Sequence, residues 1–445
     1  MSPANPAAVP MDEDGIMRKV MRRVIPFIFV CYVVSYLDRI NVGFAALQMN
    51  KDLGLTPSQF GWGAGLFFIG YFCCEIPSNL LMQKFGARRW LARIMISWGA
   101  ISLLTAFVTG PTSFSLARLL LGMAEAGFTP GVYLFFTYWF PGPWRARATA
   151  AFLVGIPVAN IIGSPLSGWL LGFDGLFGLR GWQWLFIIEA VPAVILGFAC
   201  LFVLSDGPED ARWLNREEKT FLASRLATEQ ETLANRHGAG FWKGFSPKVL
   251  MFAVINFCGI AGSLGVSIWM PQIVKQFGLS NLATGFVTAT PYVIAAFAMT
   301  LAARAAAGSS MRLAYVVGSL AMAAIALAGS AVAGSPLVSM IALTLTVCGI
   351  LCFQATYWAL PTSFLTGRAA AAGLAVIVSI GNLGGFVGPY LIGELKQVTA
   401  GFVIPLLALA AVLIFGALVM ALVGDPAAPR HRRTPHAALT QKGLS

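Results

Sequence analysis

VVSYLDRINVGFAA, residues 33–46, sets a carboxylate beside a guanidinium, Asp38 and Arg39, inside an otherwise apolar run. The run opens near Val24, so Asp38 lies roughly 20 Å along a helix rising 1.5 Å per residue. That depth is well inside a hydrocarbon layer ~30 Å thick. Apolar residues continue from Val42 to Leu47, which argues against a site at the membrane surface. A central Asp or Arg costs about 2.5–3.5 kcal/mol on insertion scales, so each must face a watery cavity or a partner. Consecutive helical residues point ~100° apart, so the two cannot face the same way. They read as two separate devices.

The rest of the chain follows from that first run. Of 445 residues, 58% are hydrophobic and 11% charged, with a mean hydropathy of +0.76. A soluble domain carries roughly 25% charged residues, so the chain falls in the membrane class. Twelve apolar runs are long enough to span: 24–47, 58–82, 90–109, 113–139, 147–172, 183–204, 249–274, 282–303, 313–333, 336–359, 370–393 and 401–424. Barrel strands alternate over only ~10 residues, so these are helices. The first run is too long for a signal-peptide core and is expected to stay in the membrane. The expected fold is an all-α membrane protein with 12 transmembrane helices in two pseudo-symmetric six-helix bundles. Its parts are a cytoplasmic segment (1–23), an N-terminal bundle (24–204), a connector (205–248), a C-terminal bundle (249–424) and a cytoplasmic tail (425–445).

Orientation is read from the basic residues. With both termini cytoplasmic, Lys51, Arg180, Lys275 and Lys396 fall outside, Arg39 and Arg118 fall within spans, and the remaining Lys and Arg lie inside. The net charge of +12 is thereby explained without a nucleic-acid partner. The tail PRHRR, Pro429 to Arg433, is a topology anchor able to touch anionic lipid. All seven Cys lie within apolar runs and read as free thiols. The three His, at 237, 431 and 436, lie in loop or tail, which argues against an intramembrane histidine relay or metal site.

The halves echo each other. KDLGLTPSQFG, Lys51 to Gly61, returns as KQFGLSNLATG, Lys275 to Gly285. TYWFP, Thr137 to Pro141, returns as TYWALP, Thr356 to Pro361. The fifth spans share a Gly/Pro pattern, NIIGSPLSG from Asn160 and NLGGFVGPYLIG from Asn382. Three matches in the same order at offsets of 219 to 224 residues indicate a duplication. Duplicated six-helix halves fit a transporter with its site between them at mid-membrane. The chain has no GK dipeptide, hence no ATP-binding loop. The expected energy source is an ion gradient or none at all, and no cofactor is called for.

DRINVGFAALQM, GLFFIGYFCCEIPSNLL, RIMISWG, ARLLLGMAEAGFTPG, GWQWLFIIEAVPAV and SIGNLGGFVGPYLIG together resemble the major facilitator superfamily. Within it the chain is most similar to the anion:cation symporters, which include bacterial phthalate, tartrate and hydroxyphenylacetate permeases. The resemblance covers about residues 20–425. It implies proton-coupled uptake of a small organic anion by alternating access in the bacterial inner membrane, by a protein functional as a monomer. It implies that Asp38 and Glu125 take up protons, that Arg39 contacts the substrate carboxylate, and that Arg118, counted with the substrate-binding residues, couples to the acids. Tyr36 and Tyr71 match aromatic positions lining the cavity. The chemistry agrees: an acid in a dehydrated site favours its protonated form, and Arg grips a carboxylate through two parallel bonds. Arg118 and Glu125, seven residues apart, share a helix face about 10 Å apart. Gly122, Gly127 and Gly131 allow close helix approach there.

NLLMQKFGARR, Asn79 to Arg89, resembles the superfamily's gating loop through Lys84, Gly86, Arg88 and Arg89, but Gln83 stands where an acid is usual. Its second-half counterpart, Ala302 to Arg312, also lacks the acid. Second-half spans between Leu279 and Thr366 hold no charge but Arg304, so neutral groups are the candidate contacts: Asn256, Gln354, Tyr357, Trp358 and Asn382. Val378 and Ile156 stand where relatives often carry polar residues. A substrate with one gripped carboxylate and a less polar remainder suits such a cavity, as in aromatic or small hydroxylated acids. Glu75 and Glu189 are further intramembrane acids without an evident basic neighbour. The competing readings are a proton-coupled drug exporter, favoured by GSPLSG (Gly163 to Gly168), and a non-transporting receptor. No catalytic triad or metal-ligand spacing points to an enzyme.

Overall fold

The computed structural model describes residues 12–235, 246–307, 309, 311–365 and 367–424. The three His and the PRHRR tail lie outside the described residues. All regular secondary structure among the described residues is helical. The first half comprises α1 (Glu13–Asp52), α2 (Pro57–Phe85), α3 (Ala87–Thr105), α4 (Pro111–Glu125), α5 (Phe128–Trp139), α6 (Gly142–Leu153), α7 (Gly155–Leu170) and α8 (Gly181–Val203). The connector carries α9 (Arg216–Asn235). The second half comprises α10 (Pro247–Lys275), α11 (Asn281–Ala306), α12 (Arg312–Ala331), α13 (Pro336–Tyr357), α14 (Pro361–Phe364), α15 (Gly367–Thr399) and α16 (Val403–Val423).

These helices build twelve spans. Eleven satisfy both length and apolarity. The twelfth, α3, is 19 residues long and carries Arg88, Arg89 and Arg93 in its first two turns, which lowers its hydropathy. Two first-half spans are broken where the sequence reads as continuous. The fourth stops at Glu125, and Gly127 takes a left-handed φ of 88° before α5 begins at Phe128. Pro130 then sits in the first turn of α5, where its missing N–H is harmless. The fifth breaks at Val154, between α6 and α7, with Pro157 just beyond.

Packing repeats with the sequence. In the first half α1 lies on α7 and α8, α2 on α4, and α3 on α8. Their counterparts in the second half pair likewise: α10 on α15 and α16, α11 on α13, and α12 on α16. The halves meet chiefly through α2 against α15 and α7 against α11.

The repeated motif KxxGL(T/S) has a local cause in both copies. Gly54 and Gly278 adopt left-handed φ of 64° and 78°, closing α1 and α10. Thr56 and Ser280 then cap α2 and α11, each accepting from the backbone N–H three residues on at 3.2 Å. The motif's last glycines have a second use. Gly61 lies against Gly393 of α15, and Gly285 lies against Gly168 of α7. A methyl group on Gly61 would meet the Gly393 Cα at 3.1 Å, and one on Gly168 the Gly285 Cα at 3.2 Å. These two glycine-on-glycine crossings close the bundle at the end away from the connector. There, Ser58 of α2 is bonded to Glu394 and Gln397 of α15. Trp269 of α10 donates to the Pro389 carbonyl at 3.0 Å.

At the connector end α9 is tied to the first half. Lys19 pairs with Glu218 at 2.8 Å, Arg225 with Glu13 at 3.7 Å, and Arg145 with Glu229 at 3.4 Å.

Candidate functional site

Between the halves, on the connector side, lies a cavity of about 500 Å³. A volume of this size suits a small-molecule site. Its first-half wall includes Tyr32, Tyr36, Arg39, Phe68, Val154 and Ile156. Its second-half wall includes Asn256, Ser263, Gln354, Trp358 and Asn382, with Met299, Thr300, Ala303 and Arg304 toward the mouth. The bundle is closed at the far end and open toward the connector.

Arg39 is the cavity's deep cation. Its Nε donates to Glu125 Oε1 at 2.7 Å, from α1 to the last residue of α4. Ser35, one turn before Arg39 on the same face of α1, donates to the same oxygen at 2.7 Å. The other carboxylate oxygen of Glu125 and Nη2 of Arg39 are buried without partners. Glu125 caps the wrong end of a helix for an anion, because the α4 C-terminus carries partial negative charge. Arg39 is its paired cation.

Asp38 points the other way, behind the cavity wall. Its Oδ1 accepts from Asn41 Nδ2 at 3.2 Å and from Ser102 Oγ of α3, while Oδ2 is unpartnered. The separate directions read from the 100° offset are what the structure has.

Arg118 is not at the cavity surface, where the sequence reading puts a substrate contact. It is 1% exposed, and its guanidinium lies over the Phe67 ring at 5.0 Å with Nε and Nη1 unpartnered. The Arg39 guanidinium lies 5.6 Å from the centre of the same ring, so both cations share Phe67. Asp38 and Glu125 are the acids in the electrostatic surroundings of Arg118. Its buried position follows from α4 and the start of α5 packing tightly on α2, with Gly122 against the Phe67 backbone, Gly127 against Ser78 and Gly131 against Met82.

Two other expected contacts are also set back. Tyr71 is buried, with the Arg39 guanidinium 5.1 Å from its ring centre. Tyr357 is fully buried, its hydroxyl donating to the Phe252 carbonyl at 2.6 Å. Both are placed to support the cavity wall and not to form it. Tyr36, Gln354, Trp358 and Asn382 do line it. Gln354 donates to Ser263 at 3.1 Å.

Several polar contributors escape sequence reasoning. Ser35 was signalled only by its i, i+4 spacing to Arg39. Ser102 and Ser263 carry no signal, since lone serines abound in such spans. Asn382 donates to Glu75 at 3.1 Å, joining α15 to α2 across the halves. Arg304, an edge residue by sequence, lines the cavity mouth. Among the described residues there is no cluster able to hold a metal ion.

At the gating loop, Lys84 lies 5.6 Å from the Phe85 ring centre, Arg89 is exposed, and Gly86 takes a φ of 85°. Asp206, from the start of the connector, accepts from the Arg88 backbone N–H at 2.8 Å and abuts Gly86. The loop that lacks an acid at Gln83 thus has one from elsewhere in the chain.

A sequence profile described as Major Facilitator Superfamily matches residues 28–389. The chain belongs to the major facilitator superfamily. It is 47% identical over 407 residues to a protein of Agrobacterium vitis named for tartrate transport, covering 92% of this chain and 94% of that one. It is 39% identical over 413 residues to a quinolone resistance transporter of Acinetobacter baumannii, covering 92% and 95%. Among solved structures, the Escherichia coli xylose transporter XylE, partially occluded and inward open, superposes with a TM-score of 0.73. That match is at 13% identity over 91% of this chain and 98% of the other. The protein is thus a multi-pass membrane transporter, not an enzyme, with the twelve-helix fold of the superfamily.

Proposed function

We propose that this transporter takes up a small organic carboxylate together with protons, across the bacterial inner membrane, with both termini cytoplasmic and the monomer as the working unit. The observation that carries the reading is the Arg39–Glu125 pair at 2.7 Å at the head of the cavity. One edge of the guanidinium is held by Glu125, while Arg39 also lines the cavity, where an incoming carboxylate meets it. A substrate carboxylate that takes the fork removes the counter-ion of Glu125. Glu125 is then a carboxylate in a dry site at a helix C-terminus, and it takes a proton. Anion and proton load together, and neither needs a metal or a cofactor. Asp38, behind the wall and in the field of Arg118, is the second coupling acid.

The cavity wall supports a compact acid. Ile156, Ile260, Phe68 and Trp358 present apolar surface, while Asn256, Ser263, Gln354 and Asn382 give a few neutral polar contacts. The tartrate-named relatives support a short hydroxylated acid as the first substrate to try. The second reading, export of a drug-like molecule, draws on the quinolone resistance relative and on the aromatic side of the cavity. A buried Arg reserved for an anion argues against cationic drugs.

The test is a thermal-shift screen of the purified protein against organic acids, since a ligand of the folded state raises its melting temperature. Uptake into proteoliposomes follows, with tartrate as first probe. Stabilisation by carboxylates and accumulation under an inward-directed proton gradient are expected. Stabilisation only by cations or neutral drugs overturns the reading.

A further inference from the structure

At the connector end of the first half, α1, α3, α8 and the start of the connector enclose a second cleft, of about 680 Å³. It shares no lining residue with the substrate cavity. Three arginines line it: Arg23 of α1, Arg88 of α3 and Arg212 of the connector. Trp213, also in its lining, is stacked on Trp139 of α5 at 5.5 Å, which fixes the connector as one wall.

The three guanidinium groups are uncommitted. Two carboxylates, Asp206 and Asp210, line the same cleft. Yet none of the ion pairs among the described residues includes Arg23, Arg88 or Arg212, and their side chains make no hydrogen bond there. Arg88 Nε is buried without a partner. Asp206 is engaged by the start of α3, where it accepts from the Arg88 backbone N–H at 2.8 Å and lies against Gly86. A helix N-terminus favours a carboxylate, so Asp206 is held there and the arginine side chains stay open. Neighbouring guanidinium groups repel, and a buried N–H without an acceptor is costly. A phosphate group answers both, because its oxygens accept paired N–H bonds from several arginines. The positive surplus continues into an adjoining cleft that shares Arg23 and Trp213, adds Arg18, Lys19 and Arg22, and has no acid in its lining.

The cleft also has an apolar side. Arg23 directly precedes Val24, where the first apolar run opens, and α8 ends at Val203. This is the membrane boundary, the level of lipid headgroups. Phe202 and Val203 line the same cleft and are 86% and 38% exposed. At the end of a spanning helix that exposure is to acyl chains. A ligand that meets both sides carries a phosphate and a hydrocarbon tail.

We propose that this cleft binds an anionic phospholipid, with the phosphodiester held by Arg23, Arg88 and Arg212 and an acyl chain lying along Phe202. A free phosphate shares the headgroup chemistry but has no use for the apolar side. Every wall belongs to the first half or to the start of the connector, so rocking of the halves against each other leaves the site intact. The lipid is a standing component of the first half and not a transported substrate.

Native mass spectrometry of the detergent-purified full chain, titrated with phosphatidylglycerol, phosphatidylethanolamine or inorganic phosphate, tests the site. Phosphatidylglycerol is expected to bind about tenfold or more tighter than phosphatidylethanolamine, and inorganic phosphate at the same concentration is expected not to displace it. Arg88→Gln and Arg212→Gln are each expected to weaken phosphatidylglycerol about tenfold, the loss of a charge-assisted contact. Arg147→Gln removes the same charge at the same end of the bundle but outside the cleft, where Arg147 lies over the Trp144 ring at 4.6 Å. It is expected to weaken binding less than about twofold. If Arg88→Gln does not fold, the exposed Arg212 decides. Equal losses in all three variants overturn the proposal, since any basic surface would then do. Equal binding of phosphatidylethanolamine overturns it as well, and displacement by inorganic phosphate assigns the cleft to a free anion instead. Tartrate is expected to leave lipid retention unchanged, so failure of the transport function proposed above leaves this test standing.

Discussion

Arg39 and Glu125 lie 86 residues apart in the chain and 2.7 Å apart in the structure, with Ser35 on the same carboxylate oxygen. Only the Arg39 side of that pair opens on the cavity. On the function proposed above, an internal carboxylate and an external one compete there for a single fork.

Replacing Arg39 by Lys keeps the charge and loses the planar fork. Hydrogen bonds to charged groups contribute about 1.5–3 kcal/mol, so carboxylate affinity is expected to fall about 10- to 100-fold. Titration of the purified variant with a carboxylate that stabilises the wild type checks it. Equal affinity would remove Arg39 as the anchor.

Asp38→Asn removes a titrating group without changing shape. Gradient-driven accumulation is expected to vanish, while counterflow exchange, which needs no net proton movement, persists. Accumulation at the wild-type level in this variant would show that Asp38 is not a coupling acid.

The glycine crossings set the closed far end. Gly61→Val and Gly168→Val each push a branched side chain against a facing glycine. Overpacking costs about 1–3 kcal/mol, here charged to the state with that end sealed. A cysteine placed at Ser58, in a background lacking the native cysteines, reports the outcome. Its labelling by a membrane-impermeant maleimide is expected to rise about 5- to 100-fold in the glycine variants. Unchanged labelling would mean that the seal lies elsewhere.

The connector latch should matter little to stability. Burial pushes the Glu218 carboxyl up, but the hydrogen bonds from Lys19 and from the Asn215 backbone N–H outweigh it and hold the group below its ordinary value. A depressed carboxyl stabilises the fold above its unfolded pKa and loses that contribution as pH falls through its folded value. The latch is therefore intact at neutral pH and weakens below about pH 4.3. Glu218→Gln is expected to cost less than about 1 kcal/mol at pH 7, read as a small drop in melting temperature. A large drop at pH 7 would make the latch a structural anchor.

Sequence reading reached the fold because run length and repeated motifs are properties of one chain read in order. Gly54, Thr56 and Gly61 with their copies Gly278, Ser280 and Gly285 announced the duplication, and the same residues cap helices and close the far end. Asp38 and Arg39 announced two directions through helical geometry alone. What sequence could not give was distance across helices. Spacing on α4 joins Arg118 to Glu125, but the partner of Glu125 is on α1. The backbone break after Glu125 was hidden because AEAGFTPG also fits an unbroken small-residue helix. Asn382 on Glu75, 307 residues away, and Asp206 at the gating loop are contacts that only the folded chain makes.

The most direct measurement of proton and anion coupling is calorimetry of carboxylate binding in buffers of different ionisation enthalpy at one pH, which reads the protons exchanged per anion bound. The account predicts net proton uptake on binding in the wild type and its loss in Glu125→Gln, which has nothing to protonate when the substrate takes Arg39. Tight carboxylate binding with no proton exchange in the wild type would contradict it.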